Sequence, residues 1–100
     1  MKVINNKKQM QFEITEGEHK AELVYRLRKN TMFFLHTFVP EEIGGRGIAK
    51  QLVSTALDYA QENGHLIAVL CPYVGAYIKK NPTWYDLYDK AFHQNIPVKS

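Results

Sequence analysis

The sequence predicts a mixed α/β (α+β) domain in which an antiparallel meander leads into a β-loop-α-β crossover and a short C-terminal helix. Three observations point there. Apolar residues alternate with period two over residues 10–15 and again over 20–28, the spacing of a strand with one covered face. An almost unbroken apolar run follows from Thr31 to Val39. A glycine-rich stretch then precedes a long segment of helical period.

In the first alternating run Met10, Phe12 and Ile14 share one face, and Gln11, Glu13 and Thr15 the other. Glu16-Gly17-Glu18 supplies a turn. The second run is expected to point Ala21, Leu23, Tyr25 and Leu27 inward against Lys20, Glu22, Arg26 and Arg28. Lys29-Asn30 is a tight polar break, with asparagine the residue suited to left-handed turn geometry. Continuous apolarity from Thr31 to Val39 marks a strand covered on both faces. Pro40 ends it, because proline has no N–H for a strand ladder.

Ile48, Leu52, Val53, Ala56, Leu57 and Ala60 then fall on one helical face, and Lys50, Gln51, Ser54, Asp58 and Gln61 on the other. Asn63-Gly64 is a helix stop. Leu66 to Leu70 reads as a second buried strand. A helix between two buried strands implies a right-handed crossover and parallel pairing; the strand order stays open. Pro72 opens a short helix to about Lys80, since proline is tolerated in a first turn. Asn81-Pro82 breaks that helix. The aromatic stretch Thr83 to Phe92 is expected to form another short helix, and Gln94 to Ser100 a tail.

Composition bounds the function. One hundred residues, 45% hydrophobic, fit one domain with its own core. A charged fraction of 23% without a long polar tract argues against disorder. No apolar run approaches the roughly 20 residues of a membrane helix. The N-terminus lacks a signal peptide's apolar stretch. A cytoplasmic monomer is expected. The single cysteine, Cys71, excludes an internal disulfide and a multi-cysteine metal site, and no metal is expected. The net charge of +3 suits an anionic ligand, although a basic solvated surface is the more ordinary reading. The basic residues lie in short separate groups, which argues against nucleic acid.

The segment Gly44-Gly45-Arg46-Gly47-Ile48-Ala49 joins a strand to a helix N-terminus. The first N–H groups of a helix lack partners within it, and glycines let a phosphate approach the backbone. Alone, this loop reads equally as a glycine-capped turn. It is not a Walker loop, because Ile48-Ala49 follows Gly47 where Lys-Ser/Thr is required. A dinucleotide fingerprint fits poorly, because Lys50 stands at the third glycine position and Cys71 ends the next strand in place of an acid.

The loop resembles the acetyl-coenzyme A motif of the GNAT (N-acetyltransferase) superfamily, Gln/Arg-x-x-Gly-x-Gly/Ala. Gly47 and Ala49 match its small residues, whereas Gly44 stands at the Gln/Arg position. His36-Thr37-x-Val39-Pro40, Cys71-Pro72-Tyr73 and Asn81-Pro82 extend the likeness to a compact, cysteine-containing group over about residues 10 to 90. The resemblance implies acetyl transfer from acetyl-coenzyme A to an amine, on a small molecule or a protein. The cofactor contacts it implies are Val39, Gly44, Gly45, Arg46, Gly47, Ile48, Ala49, Lys50, Pro72, Tyr73, Tyr77 and Asn81, with Arg46 or Lys50 replacing the missing Gln/Arg side chain. The chain is short for that family. It lacks sequence for the helices usually inserted after the first strand and for a last strand pair, elements that shape the acceptor site. A non-catalytic coenzyme A-binding or sensing module is therefore the alternative.

Two side chains are candidates for the chemistry. Cys71, between a strand and a helix start, is a candidate nucleophile or a proton donor to the coenzyme A sulfur; inert burial is the competing reading. His36 is expected to share a strand face with Phe34 and Phe38, either as a packed residue or as general base. Trp84, Tyr85 and Tyr88 read as core or a covering flap. Glu41 and Glu42 could take an amine proton but read first as solvated carboxylates.

Overall fold

The computed structural model describes residues 2–97. Five strands, β1 (Ile4–Asn6), β2 (Gln11–Glu16), β3 (His19–Arg28), β4 (Thr31–Phe38) and β5 (Leu66–Val69), form one sheet in the order β1-β2-β3-β4-β5. The first four are antiparallel neighbours and β5 lies parallel to β4. Helix α1 (Ile48–Glu62) makes the crossover from β4 to β5, and α2 (Pro72–Lys80) follows β5. Strand β1 is too short and polar to show a period, so its pairing with β2 leaves no signal in the sequence.

The six apolar positions of α1 are all buried, against Phe12, Ile14, Ala21, Leu23, Tyr25, Met32 and Phe34 from the sheet. Val74 and Ile78 of α2 join the same cluster. Both helices therefore cover one face of the sheet, and each buried Leu, Ile or Val contributes about 1.5–3 kcal/mol. Helix α1 stops at Asn63-Gly64: Gly64 has φ +70° and the His65 N–H returns to the Ala60 carbonyl, the left-handed closure glycine permits.

Several expectations need correction. Leu27 is 46% exposed at the far end of β3. In the β3–β4 turn Lys29, not Asn30, takes the positive φ, +54°. His36 and Phe38 do not share a face with Phe34. Val24 pairs with His36 but Tyr25 with Phe34, so Leu35 is the extra residue of a β-bulge. The bulge shifts the alternation by one residue. Thr37 thereby joins the helix-covered side with Leu23, and exposed His36 and Phe38 join Val24 and Glu22 on the helix-free side. Strand β4 is thus not covered on both faces along its length, and the flanks of β5 are open at Leu66 and Leu70.

The Thr83–Phe92 helix is instead a 3-10 helix over Pro82–Leu87. After it the chain turns back along the free edge of β5. Tyr88 bridges Ile67, the Asp89 N–H reaches the Ile67 carbonyl, and His93 Nε2 accepts the Val69 N–H at 2.8 Å. This satisfies edge groups that would otherwise invite pairing with another chain. The expected tail begins after His93, and its last three residues lie outside the described range.

Candidate functional site

The glycine loop is built by backbone conformation. Pro40 ends β4, and a 3-10 turn over Glu41–Ile43 inserts buried Ile43 into the core. Gly45 (φ +77°) and Gly47 (φ +73°) are left-handed, and nothing lies within 4 Å of where a Cβ would stand on either. Gly47 caps α1 without a side-chain hydrogen bond, and the first turn carries no acidic residue. The open helix N-terminus therefore keeps its unpaired donors and partial positive charge exposed to an anion.

Beside it runs a groove of about 340 Å³ between the two helices, lined by Lys50, Tyr73, Ala76, Tyr77, Lys80 and Asn81. Tyr73 and Tyr77 share a face of α2 because they are four residues apart. Asn81 is held by its side-chain N–H, which donates to the Tyr77 carbonyl at 2.9 Å. Of the expected contacts, Lys50, Tyr73, Tyr77 and Asn81 thus meet in one groove, next to the loop that holds Gly45, Gly47, Ile48 and Ala49. Arg46 points elsewhere: its guanidinium pairs with Glu16 at 3.5 Å and ties the loop to the β2–β3 turn. Gly44 is in ordinary extended geometry and its N–H is already bonded to the Glu41 carbonyl. Val39 packs against the core, and Pro72 opens α2 at its first turn. Glu41 and Glu42 are exposed, Glu42 lying 3.9 Å from the His19 ring.

Just before α2, which lines the groove from Tyr73 onward, the sheet opens. Pairing of β4 with β5 stops at Phe34–Val69, where the Leu70 and Cys71 N–H groups both donate to the Phe34 carbonyl. Beyond that point β4, re-aimed by its bulge, and the chain entering α2 diverge. Cys71, 2% exposed, sits in the gap on the helix side, its Sγ 3.3 Å from Thr37 Oγ1. His36 faces the opposite side of the sheet. The two candidate catalytic residues therefore flank the opening rather than touch, and Thr37 is the partner the sequence reading missed. Its signal would have been the bulge, which strict alternation conceals.

The C-terminal hook adds two titratable groups that the sequence did not single out. Asp89 is held below the ordinary carboxylate range mainly by the Thr31 hydroxyl, which donates to it at 2.6 Å. Burial lowers the His93 imidazole below its ordinary value, the nearby Asp89 carboxylate opposing that shift. Both support β5 from outside the groove. Trp84, Tyr85 and Tyr88 pack on the core, and burial raises the Tyr88 phenol. Among the described residues no cluster of His, Cys, Asp or Glu could hold a metal ion, and no helix is long and apolar enough to cross a membrane.

Residues 11–87 match the family model for GCN5-related N-acetyltransferases. The chain is 39% identical over 85 residues to Protein NATD1 of Danio rerio, spanning 82% of this chain and 77% of the relative. It is 35% identical over the same length to Protein NATD1 of Homo sapiens, spanning 82% and 75%. The solution structure of a GCN5-like protein from Staphylococcus aureus superposes with a TM-score of 0.67 at 27% identity, covering 88% of this chain and 87% of that one.

Proposed function

Because the chain belongs to the GCN5-related N-acetyltransferase family, we propose that it transfers an acetyl group from acetyl-coenzyme A to an amine, with the thioester carried between β4 and β5. The observation that carries this reading is the grouping of three features: a helix start with free donors, a groove that Lys50 of the same helix lines, and a split between two parallel strands at Val69, four residues before the groove residue Tyr73.

The unpaired N–H groups at Gly47–Ala49 hold the pyrophosphate, where glycine geometry and the helix dipole favour negative charge. Lys50 adds a cation in place of the side chain that Gly44 lacks, and Tyr73, Tyr77 and Asn81 line the path of the pantetheine arm. Coenzyme A supplies a thioester whose carbonyl carbon is open to a nucleophile. Beyond Phe34 the β4 edge that faced β5 has no strand partner, so its backbone donors are free to stabilise charge on the carbonyl oxygen. In the net reaction the amine nitrogen forms a bond to the acetyl carbon, the carbon–sulfur bond breaks, and the proton lost by nitrogen ends on sulfur. His36, exposed on the helix-free side, takes the amine proton. Cys71, held by Thr37 and shielded from water, gives a proton to the leaving sulfur. General acid or base help of this kind is worth about 10²–10⁴-fold in rate.

The test is transfer from acetyl-coenzyme A over an amine panel, with His36→Gln as comparator. Turnover is expected, falling by about 10²-fold or more in the variant; unchanged turnover in the variant would remove His36 from the mechanism. The direct turn from β1 to β2 at residues 7–10 places no helix over the free side of the sheet. That openness favours a second reading, a coenzyme A-binding module without transfer. Tight coenzyme A binding with no turnover on any amine would decide for it.

A further inference from the structure

The helix-free face of the sheet carries a second groove, of about 460 Å³, that the cofactor reading does not use. Its floor and walls are apolar: Phe33 and Leu35 from β4, Leu70 after β5, and Phe92 from the C-terminal hook. Leu70 and Phe92 are 50% and 46% exposed, which is costly for large apolar side chains with no role. Phe92 stands edge-on to Phe33 at 5.4 Å between ring centres and so forms one fixed wall.

Arg26 and Arg28 border the same groove. Among the described residues neither has a carboxylate partner, in contrast to Lys20 with Glu13 and Arg46 with Glu16. One Arg26 N–H donates to the Tyr25 carbonyl at 2.7 Å, which steadies the guanidinium and leaves its other donors free. An apolar trough ending in two unpaired guanidinium groups is complementary to a ligand that is apolar along its length and anionic at one end.

The groove is also aimed. Arg26 pairs with Phe33, and from there β4 runs past Leu35 to His36 and Thr37 at the strand opening. Because the bulge at Leu35 adds no length, Phe33 to Thr37 spans three steps of β3, from Arg26 to Leu23, about 10 Å at about 3.3 Å each, the distance from the first to the fourth residue of an extended chain. An extended peptide of about four residues has that reach, whereas a free amino acid does not. His36 is on this face, so an amine arriving along the groove reaches the opening from the side opposite Cys71.

We infer that the helix-free groove is the acceptor site and that it takes the N-terminal segment of a polypeptide, apolar at its leading residues and acidic at about the fourth. The inference rests on the acetyltransferase reading above. The peptide's terminal amine lies at the β4–β5 opening and its acidic side chain pairs with Arg26 and Arg28. The nitrogen of that terminal amine forms the new amide bond as the carbon–sulfur bond breaks, and its proton ends on the coenzyme A sulfur.

The experiment follows the amide signals of the 15N-labelled protein while two free-amine hexapeptides are added: alanine-leucine-leucine-aspartate-glycine-tyrosine, and the same peptide with lysine for aspartate. The acidic peptide is expected to shift Phe33, Leu35 and Leu70 and to bind at least tenfold more tightly than the lysine peptide. Arg26→Glu with Arg28→Glu is expected to invert that order, and the milder Arg26→Gln with Arg28→Gln to abolish it, both with coenzyme A affinity unchanged. Equal binding of the two peptides, shifts confined to other surfaces, or no binding of either would overturn the inference. So would acetylation of a small amine without a carboxylate as efficiently as the acidic peptide. A coenzyme A titration of the same sample, read at Lys50, Tyr73 and Tyr77, separates failure of this inference from failure of the acetyltransferase reading.

Discussion

Replacing Gly47 by alanine isolates what the glycine loop contributes. Gly47 holds φ +73° as the cap of α1, and an added Cβ would meet nothing within 4 Å. The cost is therefore backbone strain and not collision, about 1–2 kcal/mol for an L-residue in left-handed geometry. The reduced freedom of the unfolded alanine chain returns about 0.4–1 kcal/mol, leaving about 1 kcal/mol. For a domain of this size that lowers Tm by about 4–8 °C. Gly17 is a matched control, with φ +61°, an equally empty Cβ position and a place in the β2–β3 turn. Gly17→Ala should lose a similar Tm and keep coenzyme A affinity. Gly47→Ala should lose affinity as well, by about fivefold or more, because the strained loop no longer presents its N–H groups together; about 1 kcal/mol alone gives roughly fivefold. Differential scanning fluorimetry and calorimetric titration measure the two effects. Equal Tm losses with unchanged coenzyme A affinity in Gly47→Ala would refute the cradle.

Cys71→Ala should cut turnover by about 10²-fold or more with coenzyme A affinity retained, and intact mass should show no acetyl adduct on the wild-type protein; a Cys71-dependent adduct would replace proton donation by a covalent route. His93 is lowered from its ordinary 6.5 and accepts the Val69 N–H only when Nε2 is unprotonated. Below pH 6.5 the unfolded chain gains the proton first, so stability present above that value falls as pH drops toward the lowered native value. Melting curves from about pH 7 to about pH 5 should therefore show a larger Tm loss in the wild type than in His93→Gln; parallel curves would contradict this. Lys29→Gly, which relieves a non-glycine residue at φ +54° in a two-residue hairpin turn, should raise Tm by a few degrees in the same assay.

The fold was largely legible because strand and helix periods differ and this chain keeps both. All six apolar positions read on α1 are buried, and the β4–α1–β5 crossover pairs its strands in parallel. What escaped was set by tertiary context. The bulge at Leu35 leaves no composition signal, yet it turns His36 away from Phe34 and brings Thr37 to Cys71. Propensity points to Asn30 as the left-handed turn residue, but the hairpin geometry places the positive φ one residue earlier, at Lys29. The aromatic stretch after Pro82 suggested helix by density alone, while the open edge of β5 captured its second half through Tyr88, Asp89 and His93. Motif order names Lys50, Tyr73, Tyr77 and Asn81 together, and in the fold the four line one groove. That Arg46 is occupied by Glu16 was not, because its partner lies thirty positions away in sequence.

Calorimetric titration with acetyl-coenzyme A tests the central claim most directly, because cradle, groove and strand opening all presuppose that ligand. Saturable one-to-one binding is expected, weakened at least tenfold by Lys50→Glu and unaffected by Gly17→Ala. No heat and no saturation at millimolar acetyl-coenzyme A, with the protein folded, would contradict it.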